Sequence, residues 1–323
     1  MNLFRFLLIS AGFLTAAGFL TAYICFRMAF YSRRKKQSDP KDYHLPAGPE
    51  YEPYHGTIAA WIDQMRSLPH ETFTITSFDG LKLRAKYYEF APGAPIELMF
   101  HGYRSTGERD LCGGISRCRQ LGHSAFIVDQ RGAGDSEGTV ITFGIREHRD
   151  CLAWVDFMIR HFGPDVKIIL CGISMGAATV TMASGTPLPD NVIGVLADCS
   201  FTSARDMIEK TIRQLHLPPK LLYPFVKAGA TIFGGFDLHE NSPIEAVVCC
   251  AVPIIFIHGE ADTFVPCNMS RKLFEACPSR KHLLTVPGAA HGLSFPAAPD
   301  LYVQEVRDFF GEEASHPALR QNE

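Results

Sequence analysis

Apolar positions in this chain fall into two rhythms, short strand-like runs and longer stretches with helical spacing. Glu71 to Thr76 and Leu81 to Glu89 read as two strands joined by Phe78-Asp79-Gly80, a hairpin signal. Ile96 to Phe100, Ser124 to Val128, Val166 to Cys171, Val192 to Ala197, Ile254 to Ile257 and Leu283 to Val286 are further apolar strands. Between them, Glu108 to Leu121 predicts a helix. Phe143 to Phe162 predicts another, with Leu152, Val155 and Ile159 on one face and Gly163-Pro164 as its stop. Leu301 to Phe310 predicts a closing helix. Strands alternating with helices predict an α/β fold: a mostly parallel central sheet, an antiparallel leading hairpin and helices on both faces. Ser200 to Ala246 breaks the rhythm. It carries Pro218-Pro219, Pro224 and Gly234-Gly235 with no strand pattern, and predicts a small helical lid.

Ahead of this pattern lies Phe6 to Phe26, an uncharged run of 21 residues. At about 1.5 Å per residue it would cross about 30 Å of hydrocarbon. It contains the hexapeptide Ala-Gly-Phe-Leu-Thr-Ala twice, at 11–16 and 17–22. Small residues four apart (Gly12/Ala16, Gly18/Ala22) permit close helix packing. Arg5 precedes the run, and Arg33, Arg34, Lys35 and Lys36 follow it. This bias predicts a transmembrane anchor over 1–32 with the remaining chain on the cytoplasmic side. The competing reading is a cleaved secretory signal, which would place the domain outside. Residues 33–56 read as a polar, proline-bearing tether, with Ile58 to Leu68 a short amphipathic helix leading into a main domain over 57–312. Residues 313–323 read as a tail.

Composition narrows the function classes. The 323 residues carry a net charge of -3, which gives no electrostatic pull toward nucleic acid. The ten cysteines are scattered without zinc-type spacing, and Cys171 and Cys199 fall at strand ends. They read as small core residues of a reducing compartment. No His/Glu pair at helical spacing suggests a metal. The glycines around Gly132 and Gly134 do not open a helix, so no dinucleotide cofactor is implied.

The chemistry concentrates in Gly172-Ile173-Ser174-Met175-Gly176, between an apolar strand and the helix-competent Ala177 to Met182. A serine on a sharp strand-to-helix turn needs glycines two positions away, because a side chain there would clash with neighbouring backbone. Such a nucleophile needs a base, an orienting acid and oxyanion donors. His291, in the small-residue loop Pro287 to Gly292, is the base candidate. Asp262, in the loop leaving the Ile254 to Ile257 strand, is the acid candidate, and Asp198 is its rival. His101 and His258 precede glycines at strand ends and read as structural. Glu260 lies too close to its strand. Asp129, Arg131 and Asp135 read as holding the turn after their strand.

Taken together, His101-Gly-Tyr103, Asp129 to Gly138, Gly172 to Gly176, His258 to Asp262 and Gly288 to His291 resemble the motifs of the α/β-hydrolase superfamily, in the right order. The resemblance covers about Thr72 to Phe310. More narrowly it is similar to the serine-aminopeptidase/lysophospholipase-like branch, and to bacterial hydrolases with one N-terminal membrane helix. It implies oxyanion donation by the backbone N–H groups of Tyr103 and Met175.

The expected reaction is hydrolysis of an ester, thioester or amide through an acyl-enzyme on Ser174. The apolar lid residues (Leu217, Leu221, Leu222, Phe225, Ile232, Phe233) and the anchor suggest a hydrophobic, lipid-like acyl substrate. An aminopeptidase would instead want an acid near the pocket, for which Glu209 and Glu240 are candidates. A membrane-tethered binding module without activity is the alternative from another class.

Overall fold

A computed structural model describes residues 3–32 and 43–315. Arg33, Arg34, Lys35, Lys36, the first part of the expected tether and most of the expected tail lie outside the described residues. The elements run α1 (Leu3–Ala29), α2 (His55–Ser67), β1 (Glu71–Thr76), β2 (Lys82–Tyr88), β3 (Ile96–Phe100), α3 (Gly107–Leu121), β4 (Ser124–Asp129), α4 (Glu147–Phe162), β5 (Ile168–Ile173), α5 (Met175–Ser184) and β6 (Val192–Asp198). They continue with α6 (Ala204–Gln214), α7 (Pro219–Gly229), α8 (Pro243–Ala246), β7 (Ile254–Gly259), α9 (Asn268–Ala276), β8 (Lys281–Val286), α10 (Ser294–Ala297) and α11 (Pro299–Ser315).

The strands form one sheet in the order β1-β2-β4-β3-β5-β6-β7-β8. The β1-β2 and β2-β4 pairs are antiparallel and the others parallel. The expected leading hairpin is therefore the antiparallel edge. β3 and β7 are buried along their whole length, as a sheet covered on both faces requires. One face packs Ile62, Ile115, Tyr302 and Phe310 from α2, α3 and α11. The other packs Trp154, Val180 and Leu273 from α4, α5 and α9.

Several boundaries differ from the sequence pattern by a few residues, and at β5 and α4 the local reason is visible. β5 starts at Ile168 instead of Val166, because Val166 N–H closes a turn onto Gly163 O at 3.3 Å. α4 starts at Glu147 instead of Phe143. Phe143 and Gly144 have φ of 56° and 95°, which no helix tolerates. The Glu147 carboxylate accepts Thr142 N–H and Gly144 N–H, each at 2.8 Å, and so holds that turn. α2 starts at His55, with Ile58, Ile62 and Met65 buried at helical spacing. Residues 43–56, read as tether, pack onto the domain: Tyr43 Oη donates to Asp63 at 3.0 Å and Tyr54 lies against the core.

α1 does not stand apart from the domain. Phe26 and Phe30 are buried with Ile208 and Ile212 of α6, Tyr223 and Val226 of α7, and Phe236. A Cβ on Gly229 would come within 2.5 Å of Ala22 O, so α7 approaches α1 where the sequence places small residues. The other face of α1 is apolar and exposed (Phe13, Leu14, Leu20). Ser10–Ala29 is long and apolar enough to cross a membrane.

Candidate active site

The centre of the site is the turn between β5 and α5. Ser174 has φ 56° and ψ -115°, a conformation that costs energy for a residue with a Cβ. Its neighbours explain the glycines. A Cβ on Gly172 would land on the Gly176 carbonyl, and one on Gly176 on the Phe100 carbonyl. Ser174 N–H donates to Asp198 O at 2.8 Å, which fixes the turn to the end of β6.

Three side chains far apart in sequence meet here. His291 Nε2 lies 2.9 Å from Ser174 Oγ, and His291 Nδ1 lies 2.6 Å from Asp262 Oδ2. Asp262 has no exposed side-chain surface. Its Oδ1 accepts the N–H groups of Phe264 and Val265 at 2.9 and 2.7 Å. Burial pushes this carboxyl up. Hydrogen bonds from His258 and His291, the His291 charge and Val265 N–H outweigh burial and lower it to about 2. The ionised Asp262 accepts Nδ1–H and leaves Nε2 free to accept from the Ser174 hydroxyl.

Asp198, the rival acid, is turned elsewhere. Its carboxylate accepts Ser294 Oγ–H and Tyr302 Oη–H, both at 3.1 Å, and burial raises its pKa. His101 is structural, as expected: its Nδ1 meets Gly102 O at 2.8 Å and its Nε2 accepts Gln130 N–H at 3.1 Å. Asp129 accepts Gly107 and Asp135 N–H groups. Arg131 binds Asp150 and Asp79, so this turn is held by hydrogen bonds as read. His258 also holds its loop, through Val265 O at 2.8 Å and Ser270 Oγ at 2.6 Å. In addition it sits 3.2 Å from Asp262 Oδ2, a contact that nothing in the local sequence announces.

Tyr103 and Met175 flank the serine. Met175 opens α5, and the first N–H groups of a helix lack partners within it. Gly102 is close enough that a Cβ on it would lie 3.5 Å from Ser174 Cβ. Asp110 Oδ2 holds the loop by accepting Gly102 N–H at 2.9 Å.

A cavity of about 480 Å³ opens from Ser174 and His291, within the range of small-molecule sites. Ile58 and Trp61 of α2, Met99, Phe264 and Phe295 supply much of its apolar wall, together with Pro46, Ala47 and Tyr51. None of residues 200–246, the expected lid, lines it. This corrects the reading of the lid as the acyl cover: Leu222 and Phe233 pack toward α1, and Leu217, Leu221 and Ile232 are exposed. Glu209 and Glu240 are also away from the cavity, paired with Arg205, Arg213 and Arg149. Tyr51 was missed by sequence reasoning. Its hydroxyl donates to His291 O at 3.0 Å, and burial and nearby acids push its pKa up to about 12, so it stays a donor. The available signal was the aromatic cluster Tyr51, Tyr54 and Trp61 beside the buried helix face.

Among the described residues, Cys199, Asp262 and His291 offer atoms within 4.8 Å of one another, close enough for a metal. Burial pushes the Cys199 thiol far up, which keeps it protonated, and His291 Nδ1 is already engaged by Asp262. The donor set favours the hydrogen-bonded triad over a metal.

Residues 98–242 match a family described as alpha/beta hydrolase fold, and 206–296 match one described as serine hydrolase. The chain is 26% identical over 190 residues to an uncharacterized Bacillus subtilis protein, covering 58% of this chain and 62% of that one. It is 27% identical over 254 residues to an uncharacterized membrane protein of Saccharomyces cerevisiae, covering 76% and 81%. It is 27% identical over 217 residues to the lysophosphatidylserine lipase of Danio rerio, covering 62% and 52%. In structure it is similar to an esterase of Pyrococcus furiosus, with a TM-score of 0.64, 18% identity, and 87% and 98% of the two chains covered.

Proposed function

We propose that this chain, which has the α/β-hydrolase fold, cleaves a carboxylic ester or thioester through an acyl-enzyme on Ser174. The observation that carries this reading is the unbroken hydrogen-bonded line from Ser174 through His291 to Asp262. Ser174 Oγ attacks the substrate carbonyl carbon while His291 Nε2 takes the hydroxyl proton. The tetrahedral oxyanion accepts from Met175 and Tyr103 N–H, worth about 3 kcal/mol per donor. The C–O or C–S bond then breaks, and His291 gives the proton to the departing alcohol or thiol. Water repeats the sequence on the acyl-enzyme and releases the acid. Asp262 stays ionised throughout and steadies the imidazolium.

Ile58, Trp61, Met99, Phe264 and Phe295 in the cavity wall support an apolar acyl group, although Glu50, Arg109 and Asp110 line it as well. The exposed apolar face of α1 supports a membrane-bound enzyme acting on a lipid-like ester, as do the yeast relative's name and the lipase relative's. The basic run Arg33 to Lys36 favours the cytoplasmic side for the domain. An amide-cleaving alternative draws on Glu50, the exposed acid at the cavity wall.

The test uses the full chain in detergent, since residues 43–51 and α1 pack onto the domain. A fluorophosphonate probe should label the parent, and p-nitrophenyl esters should turn over. Ser174→Ala should lose both. Wild-type turnover in Ser174→Ala would overturn the assignment, and a folded parent that neither labels nor turns over would favour the binding-module alternative.

A further inference from the structure

The C-terminal end of α1 is bonded to the loop that carries Tyr103. We infer that this junction positions the Tyr103 N–H, so that α1 is a working part of the active site and not a detachable anchor. The inference rests on the reading of Tyr103 as an oxyanion donor.

A helix leaves its last four carbonyls without internal partners. Here Phe26 O accepts the Phe30 and Tyr31 N–H groups, and the Tyr103-Arg104 loop supplies partners for the three carbonyls after it. Tyr103 Oη donates to Ala29 O at 2.8 Å. Arg104 Nη2 donates to Met28 O at 2.7 Å and to Tyr31 O at 2.9 Å. A cation at this end also suits the helix dipole. The chain leaving α1 then pairs with the 139–141 segment: Ile141 N–H donates to Phe30 O, and Ser32 N–H to Thr139 O, each at 2.8 Å. Phe30 is fully buried and meets the Phe143 ring edge-on at 5.9 Å. Phe143 in turn lies 5.1 Å from the Tyr103 ring. Tyr103 is thus held by α1 through its hydroxyl and, by way of Phe143, through its ring.

The backbone on both sides of this junction is strained. Arg104 and Phe143 have φ of 52° and 56° without being glycine. Such conformations persist only where surrounding contacts over-determine them. For Arg104 those contacts are the α1 carbonyls. An oxyanion donor must also be held within about 0.5 Å of its productive place to be of use. Losing the α1 bonds frees Arg104 to relax, and the amide one residue before it turns with it. Tyr103 lines the cavity beside the serine, but the apolar wall supplied by Ile58 and Trp61 of α2 takes no part in the junction, so acyl binding is expected to change less than oxyanion donation.

The experiment compares the full chain with Tyr103→Phe, Arg104→Ala and Arg104→Lys in the same detergent. It reads kcat and KM on a p-nitrophenyl ester and the affinity for an aryl trifluoromethyl ketone, which adds to the serine as a tetrahedral species. Tyr103→Phe keeps the ring and the amide and removes only the bond to Ala29. The expected result is a kcat about tenfold lower with KM within twofold, and a matching loss of ketone affinity. Arg104→Ala should lose more and Arg104→Lys should recover part, since an ammonium still reaches the carbonyls. Unchanged kcat and ketone affinity in Tyr103→Phe and Arg104→Ala would overturn the inference, as would a kcat loss with ketone affinity intact. If Arg104→Ala does not fold, Tyr103→Phe decides alone. Turnover that survives Ser174→Ala would instead overturn the underlying reading of the site.

Discussion

Replacing Asp262 with asparagine separates the roles of the two candidate acids on structural grounds. Asp262 Oδ1 accepts two backbone N–H groups, from Phe264 and Val265. An asparagine must keep its oxygen there, so its NH₂ falls at the Oδ2 position, facing His291 Nδ1. That nitrogen must then accept, which moves the imidazole proton to Nε2, where it points at Ser174 Oγ. The base can no longer take the serine proton. By analogy with the same change in other serine hydrolases, kcat should fall about 10⁴-fold, or about 5 kcal/mol. Stability should fall as well. The carboxyl is lowered from 3.8 to about 2, which corresponds to about 2 kcal/mol of folding free energy. Because the native value is depressed, this contribution is present above the unfolded pKa near 3.8 and is lost as pH falls through about 2. The assay is p-nitrophenyl ester turnover beside denaturant unfolding at pH 7 and pH 3, with Asp198→Asn as the comparison. Among the described residues the Asp198 carboxylate accepts the Ser294 and Tyr302 hydroxyls and does not reach His291, so its variant should keep kcat within about tenfold. If Asp262→Asn stays within tenfold of the parent while Asp198→Asn collapses, the tautomer argument is wrong.

Other perturbations test the surroundings of the site. Phe30→Ala removes a fully buried ring between Phe143 and Phe236 and should cost about 3–5 kcal/mol in chemical denaturation of the full chain; a cost below 1 kcal/mol (about the median for point changes) would mean α1 does not dock. Arg117→Ala leaves the buried Glu97 with only His123 and the Cys171 thiol and should destabilise by about 3–5 kcal/mol, read by the same titration. Ile58→Trp narrows the cavity at α2. It should lower kcat/KM for a decanoyl ester at least tenfold relative to a butyryl ester, and equal effects on the two would place the acyl chain elsewhere.

How much of this was legible in the sequence depends on how local each cause is. The elbow glycines were readable because their clash partners lie in the same turn or in the adjoining strand end, Gly176 for Gly172 and Phe100 for Gly176. The strands were readable because burial on both faces leaves continuous apolar runs, as in β3 and β7. His291 and Asp262 stood out as polar residues in loops at strand ends, where this kind of sheet gathers chemistry. The start of α4 was not readable in the same way. A helical apolar pattern runs back to Phe143, but the turn there is decided by Glu147 reaching Thr142 and Gly144, a side-chain choice that periodicity does not encode.

Contacts between segments distant in sequence were the least legible, and they govern substrate access. Proline and polar content made 43–56 look like a free tether, because composition reports how a segment treats solvent and not what it covers. Tyr51 nevertheless bonds the carbonyl of His291, 240 residues away. The lid was misread for the converse reason. Its apolar residues announce burial, and the open face of a cavity is the usual claimant. Here α1 claims Leu222 and Phe233 instead, the latter meeting Phe19, Tyr23 and Phe26 within 5.9 Å, while Leu217, Leu221 and Ile232 stay exposed. The domain-facing role of α1 and the membrane-facing role proposed for it would both be satisfied by apolar side chains, so hydropathy alone cannot divide the helix between them. The small residues can: Ala22 is buried at its approach to Gly229, whereas Phe13, Leu14 and Leu20 remain open to an apolar medium. If α1 enters a membrane as proposed, the lid helices and the Tyr103 loop that pack on it lie beside that membrane, where a substrate with a membrane-resident acyl chain would start.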